Sequence, residues 1–285
     1  MQIKALAVIL IQNRNLKANL RKFANLSLEI PLIMGIVNVT PDSFTDGGDF
    51  FDPDAAIAHG LKLLADGADI LDIGGESTRP GAAPVSSDEE ASRVLPVITE
   101  LAKTGATISI DTRHADVMEK ALAAGATVIN DVAALQGEGS LEVAANSNAP
   151  IVLMHMKGEP STMMDDPTYK DVVSEVREYL EGRIEACLAA GIAKERIAID
   201  PGFGFGKTRN QNLELIDNLD RFKKLGCAVL VGLSRKFAKH KGAKDRLPES
   251  LAVAVKSVLN GADIVRVHDV AETRDALAAL RFEDT

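Results

Sequence analysis

A closed (β/α)8 barrel of the TIM type, preceded by an N-terminal hairpin or strand extension, is the fold class that the sequence predicts. Three observations lead there. Eight apolar, strand-like runs alternate with eight amphipathic helical patterns along 285 residues. Such alternation builds a parallel sheet, and a chain of this length can close it into a single barrel. A Gly-Ala pair recurs where a helical pattern gives way to a strand, at Gly67-Ala68, Gly105-Ala106, Gly125-Ala126 and Gly261-Ala262. Glycine there supplies the left-handed conformation that ends a helix. Finally, every apolar run delivers polar residues at the same end, where barrels keep their chemistry.

In chain order, residues 1–20 read as an extra strand or helix, or as a leader. The apolar stretch Met1–Ile11 is short, no small-residue cleavage site follows it, and it runs into Asn13–Lys17. Phe23–Ile30 alternates apolar and polar residues and suits a small strand or hairpin able to plug one end of the barrel. Strands are expected at 33–38, 70–74, 107–111, 127–131, 150–155, 196–200, 227–233 and 262–267. Helices are expected near 53–66, 87–103, 114–124, 139–147, 168–190, 210–224, 247–260 and 270–281. No linker composition interrupts the series, so residues 1–31 form an extension and 32–285 one barrel domain.

Composition narrows the function. A net charge of −9, with scarce aromatics and no Trp, speaks against nucleic acid as a partner, because a phosphate backbone needs a basic face. It leaves room for a small anion in a local basic pocket. No stretch reaches the roughly 18 uninterrupted apolar residues of a membrane span. Cys187 and Cys227 have neither metal-type spacing nor a disulfide framework, which fits a reducing, cytoplasmic setting.

The strand ends carry Asn38, Glu76 with Ser77-Thr78-Arg79, Asp111, Asn130-Asp131, His155, Asp200, Ser234-Arg235-Lys236, and Arg266 with His268. One polar end is a satisfied core position; eight converging on one mouth describe a functional site. Asp111, Asn130 and Asp200 suit a planar heterocycle with N–H donors and carbonyl acceptors. Arg79, Lys236, Arg266 and His268 suit phosphate. For Arg266 the purely structural reading is an ion pair with Asp269 or Asp263. Asn38 sits at the end of an apolar run just before a sharp break, and Thr40–Gly48 reads as a lid over the anion.

Several motifs carry less than they suggest. Gly204-Phe-Gly-Lys-Thr208 ends like a phosphate-binding P-loop, but Pro201 stands where its first glycine belongs. Gly202, Gly204 and Gly206 miss the dinucleotide spacing. His155 has no second metal ligand three or four residues away. Met154, Met156, Met163 and Met164 read as packing. The run Asp88-Glu89-Glu90 after Ser86 reads as a helix cap that complements the dipole.

The motifs Gly35–Phe44, Asp72–Gly81, Ser109–Thr112, Ile129–Asp131, Leu153–Met156, Asp200–Lys207, Gly232–Lys236 and Arg266–Asp269 occur in one order across residues 32–281. Taken together they resemble the dihydropteroate synthase family. That resemblance implies condensation of p-aminobenzoate with 6-hydroxymethyl-7,8-dihydropterin diphosphate, with release of diphosphate and use of Mg2+. It assigns the pterin to Asp111, Asn130, Asp200 and Lys236, and p-aminobenzoate to Phe44, Thr78, Arg79, Pro80, Phe205 and Ser234. Diphosphate would fall to Asn38, Arg79, Arg266 and His268, with Mg2+ on Asn38. Asp111, Lys236 and Asp42 would be the catalytic residues. It further implies a homodimer joined through outer helices, and sulfonamides as competitors.

The sequence departs from the family pattern in its longer leader, in Phe237–Gly242 and the short connection to Leu247, and in Glu249; Thr112-Arg113-His114 differs from the commoner Thr-x-Lys. A pterin-dependent methyltransferase would share Asp111, Asn130 and Asp200 but has no use for the anion-side motifs. A non-catalytic pterin-binding relative is the alternative from another class.

Overall fold

The computed structural model describes residues 21–40, 52–77, 83–159, 162–163, 165–232 and 247–280. Residues 1–20, for which a strand, helix or leader is expected, lie outside them, as does most of the expected Thr40–Gly48 lid. A two-stranded antiparallel hairpin comes first, β1 (Lys22–Phe23) and β2 (Leu26–Ser27). The eight barrel strands follow: β3 (Leu32–Asn38), β4 (Ile70–Gly74), β5 (Thr107–Asp111), β6 (Val128–Asp131), β7 (Ile151–Met154), β8 (Ile197–Asp200), β9 (Ala228–Gly232) and β10 (Ile264–Val267). They pair in parallel, each with the next, and β10 returns to β3 to close the barrel.

The helices outside are α1 (Pro53–Ala65), α2 (Ser87–Ala102), α3 (Ala115–Ala123), α4 (Ser140–Asn146), α5 (Val172–Ala189), α6 (Arg209–Asp217), α7 (Leu219–Lys223), α8 (Leu247–Leu259) and α9 (Val270–Ala278). The expected helix 210–224 is in fact two. Asn218 Nδ2 donates to Glu214 O at 2.8 Å and diverts that carbonyl from the helical ladder. The Gly-Ala junctions behave as expected: Gly67 and Gly125 take φ of 98° and 113°. None of the helices among the described residues is long and apolar enough to cross a membrane.

Because side chains alternate across a strand, each barrel strand serves two cores. Ile33, Leu71, Ile73, Ile110, Ile129, Leu153, Ile199, Val231 and Val265 point outward and cluster with the helices. Their alternates Met34, Ile70, Val128, Val152, Ala198, Leu230 and Ile264 cluster inside with Phe23 and Leu28 of the N-terminal segment. The hairpin therefore closes one end of the lumen, as its pattern suggests. Phe23 is almost fully buried, and burying such a side chain contributes about 1.5–3 kcal/mol. Arg21 adds a tether, with Nη1 donating to Asp263 Oδ1 at 3.1 Å and Nη2 to the Cys227 carbonyl at 3.0 Å.

Two steps further along five of the eight inward-facing series, the lumen turns polar. Ile70 leads to Asp72, Ser109 to Asp111, Val128 to Asn130, Ala198 to Asp200 and Ile264 to Arg266. The same strands that fill an apolar floor thus carry a polar layer above it.

The cap at the start of α2 is present, since Ser86 Oγ accepts from Glu89 N at 3.3 Å. Glu90 departs from the expectation that the whole acidic run complements the dipole. It is fully buried against Gly75, and its Oε2 accepts from Thr112 Oγ1 at 2.7 Å. Desolvation, aided by the Glu76 and Asp111 carboxylates, pushes its pKa up to about 8 despite the Thr112 hydrogen bond. A carboxyl with a raised folded-state pKa stabilises fully below its unfolded value and loses that contribution as pH rises through the folded one. Glu90→Gln should therefore gain in melting temperature over the wild type as pH rises from 4.5 to about 8. The gain should level off above that. Melting curves across this range test it, and a gap that does not vary with pH would contradict it.

Candidate active site

The polar layer is organised by Arg266 on β10. Its Nε donates to Asp72 Oδ2 at 2.5 Å and its Nη2 to Asp111 Oδ2 at 2.6 Å. Asn130 Nδ2 donates to the same Asp72 carboxylate at 3.1 Å. Burial opposes the charged guanidinium, but Asp72, Asp111 and then Asp200 outweigh it and raise the Arg266 pKa. The Asp263 or Asp269 pairing considered for Arg266 is replaced by this one; Asp263 is engaged by Arg21 and Lys223 at the closed end.

Strand pairing sets the neighbours. Asp111 stands opposite Asn130 across β5–β6, and Arg266 opposite Gly232 across β10–β9. A Cβ on Gly232 would lie 3.5 Å from Asp200 Oδ2 and 3.9 Å from Arg266 Cδ, so the missing side chain opens space between them. Asp200 is itself oriented by the Gly202 N–H, which reaches its Oδ1 at 2.7 Å. At the edge of the layer, Asn38 Nδ2 meets His268 Nε2 at 3.4 Å. The site thus has an acidic interior with acceptors at three strand ends, and an amide–imidazole pair beside it.

Not every polar strand end belongs to it. Asp131 caps its own turn, accepting from Ala133 N at 2.7 Å and Leu135 N at 2.8 Å. Burial nonetheless lifts its pKa to about 6. Glu76 receives a two-pronged hydrogen bond from Arg113, Nε and Nη2 each at 3.0 Å. His155 is buried, edge-on to Tyr179 at 4.9 Å, with Nδ1 2.9 Å from Lys207 Nζ. Desolvation and the Lys207 charge push its pKa down to about 2. Lys207 also donates to the Gly202 and Phe205 carbonyls, so the segment that resembles a P-loop turns its lysine into the protein. A groove of about 580 Å³ beside the mouth is lined by Arg113, Gln136, Glu159 and Tyr179 among others, not by the acidic layer.

Phe205 lies at the mouth within an apolar cluster of Val132, Met154 and Met163, with Met156 against it. Met154, Met156 and Met163 pack, as expected; Met164 is outside the described residues. Asp42, Phe44, Thr78, Arg79, Pro80, Ser234 and Lys236 are also outside them. Asn38, Asp111, Asn130, Asp200, Phe205, Arg266 and His268 are inside, and the barrel brings their strand ends to one mouth. Asp72 is the participant that the strand-end pattern misses, because it sits mid-strand. The available signal was a lone charge in the apolar run Ile70–Ile73.

Comparison with known proteins decides the family. The pterin binding enzyme family matches residues 34–268. The dihydropteroate synthase of Neisseria meningitidis serogroup B is 51% identical over 263 residues, 88% of this chain and 92% of its own. This chain belongs to the dihydropteroate synthase family of pterin-binding enzymes. Among solved structures, Xanthomonas albilineans dihydropteroate synthase with 4-aminobenzoic acid matches with a TM-score of 0.85 at 49% identity, over 90% of this chain and 94% of that one. Yersinia pestis dihydropteroate synthase in a sulfonamide drug complex matches with a TM-score of 0.86 at 44% identity, over 90% and 95%.

The buried Arg266 cluster makes a stability prediction for this family member. Removing one partner of a buried ion pair leaves an uncompensated charge and costs about 3–5 kcal/mol. Arg266→Met, which leaves the fully buried Asp72 without its cation, should lower unfolding free energy by about that amount in urea titrations. A loss below about 1 kcal/mol, the level of an exposed ion pair, would mean the guanidinium is not held by this carboxylate.

Proposed function

We propose that this protein condenses p-aminobenzoate with 6-hydroxymethyl-7,8-dihydropterin diphosphate to give 7,8-dihydropteroate and diphosphate. The observation that carries the reading is the acidic layer around Arg266, lying next to the Asn38–His268 pair in one barrel mouth. A pterin presents amidine-like N–H donors, and Asp111, Asp200 and Asn130 supply the complementary acceptors and amide. Departure of diphosphate leaves developing positive charge on the methylene carbon, and carboxylates in a dry cavity stabilise it. The aniline nitrogen then bonds to that carbon and loses its proton. An aniline is nucleophilic without a strong base, so the reading calls for no activating Ser–His or Cys–His pair. Asp42 and Lys236 keep the catalytic roles that the resemblance gives them, and Lys236 also contacts the pterin.

On the leaving-group side, Asn38, Arg79, Arg266 and His268 hold the diphosphate. Because Arg266 is committed to Asp72 and Asp111, its part there is electrostatic unless the guanidinium exchanges one of those partners. Phe205, with Phe44, Thr78, Arg79, Pro80 and Ser234, surrounds the arylamine and excludes the water that would otherwise quench the cation. The same environment makes sulfonamides competitors, in line with the Yersinia pestis complex.

A Mg2+ ion fits this donor set. No group of three or more His, Cys, Asp or Glu able to hold a metal occurs among the described residues. Mg2+ in phosphate sites, however, is usually held by one or two protein groups together with phosphate oxygens. With Asn38 Nδ2 facing His268, the amide oxygen is the hard donor that remains for it. When bound, Mg2+ would neutralise charge on the departing diphosphate.

We further infer a homodimer joined through outer helices, and a cytoplasmic location, which the two buried thiols Cys187 and Cys227 suit. Sedimentation velocity should then give twice the 30.3 kDa chain mass.

The enzymatic test follows diphosphate release with and without p-aminobenzoate. Release should depend on the arylamine, and Asp111→Asn should fold yet lose about 10²–10³ in turnover, the usual loss of one preorganised electrostatic group. Release without arylamine, or near-normal turnover by the variant, would sink the assignment. Asn38→Ala should weaken diphosphate binding more in the presence of Mg2+ than in its absence, which calorimetry with diphosphate alone can read.

A further inference from the structure

Lys207 is a lysine buried to 2% exposure, and such a group persists only where acceptors replace its water. Its Nζ has four: the His155 Nδ1 at 2.9 Å, the Gly202 carbonyl at 2.9 Å, the Phe205 carbonyl at 3.0 Å and the His155 carbonyl at 3.3 Å. Three of these belong to backbone, so the ammonium acts as a fastener for the segment between β8 and α6. That segment can wind round it because Gly202 and Gly206 take φ of 73° and 65°. A Cβ on Gly202 would come within 1.8 Å of the His155 carbonyl oxygen. Asn212 secures the outer side, accepting from Gly204 N at 2.9 Å and donating to Thr208 O at 2.8 Å.

The held segment contains one residue that matters for chemistry. The carbonyl of Gly202 is gripped by Lys207, and the N–H of the same residue donates to Asp200 Oδ1 at 2.7 Å. We propose that Lys207 is a positioning residue for the pterin site: by fixing Gly202 it sets the N–H that aims the Asp200 carboxylate into the lumen. His155 supplies a neutral imidazole as one acceptor and so completes the seat without adding a second buried charge. Phe205, whose carbonyl is gripped by the same ammonium, is set at the mouth together with Asp200. The proposal rests on the pterin reading above, because only a ligand that uses Asp200 feels its orientation.

The test is a double-mutant cycle on affinity for pterin diphosphate, read by calorimetry on wild type, Lys207→Met, Asp200→Asn and the double variant. Arylamine-dependent diphosphate release by the wild type first establishes the pterin reading; its absence overturns that reading and this inference with it. With an active wild type, each single variant should bind pterin diphosphate about tenfold or more weakly, the scale of one charge-assisted hydrogen bond. The double variant should be no more than about threefold weaker than Asp200→Asn, because coupled residues are not additive. In steady state, Lys207→Met should raise KM for pterin diphosphate with kcat changed less than about threefold, as expected when binding rather than the chemical step is affected. Additive losses in the cycle, or wild-type affinity in folded Lys207→Met, overturn the proposal and leave the pterin reading standing. Should Lys207→Met not fold, Lys207→Gln retains an amide donor and enters the same cycle with the same outcomes.

Discussion

A largely buried guanidinium cannot stand alone, and the mouth of this barrel is arranged around that fact. Arg266 is compensated by Asp72 and Asp111, and Asn130 takes up more of the Asp72 carboxylate. Each of the four comes from a different strand, so the network reads the closure of the barrel. If β10 did not pair with β3, the guanidinium could not reach across to β4 and β5. Charge compensation and strand order are therefore two statements of one condition. Three carboxylates, Asp72, Asp111 and Asp200, share a single Arg266 in this cluster, which biases it toward a ligand that brings hydrogen-bond donors or positive charge.

The lumen is stratified by the period of the strand. Residues that face inward at the closed end are Met34, Ile70, Val128, Val152, Ala198 and Ile264; two steps later the inward face is Asp72, Asn130, Met154, Asp200 and Arg266. A single-residue slip in any strand would send its polar residue into the helix layer and bring an outward-facing Ile or Val into the site. Scaffold and chemistry are thus specified by the same register. The apolar floor supplies the low dielectric in which the carboxylates above it act strongly.

Much of this was legible in the sequence because it is periodic or punctuated. The strands, nearly all the helices, the Gly-Ala turns and the plugging hairpin follow from alternation and glycine placement. The strand-end residues Asn38, Asp111, Asn130, Asp200, Arg266 and His268 followed from barrel geometry. What was not legible depends on contacts distant in the chain. Asp72 looks like a stray charge in a strand until its partner Arg266 is known. Glu90 sits in a run of acids that reads as a cap, and only the approach of α2 to Gly75 shows that it is buried. Lys207 hides in a glycine-rich stretch whose apparent motifs point elsewhere; Asp131 looks like a site residue but caps its own turn, and His155 seats Lys207. The break at Asn218 turns on one side-chain hydrogen bond that no periodicity reports.

The hairpin at the closed end has a kinetic consequence. Phe23 and Leu28 stopper one end of the lumen, so a ligand reaches the polar layer from the other end. Under the reaction proposed above, the heterocycle would seat on the acidic layer at the strand ends and the arylamine beside Phe205, in the segment that follows β8. With the opposite end stoppered, both would have to enter from the same side, the heterocycle ahead of the arylamine. Queueing of this kind, imposed by two small strands remote from the reacting atoms, would make the order of substrates a property of the architecture.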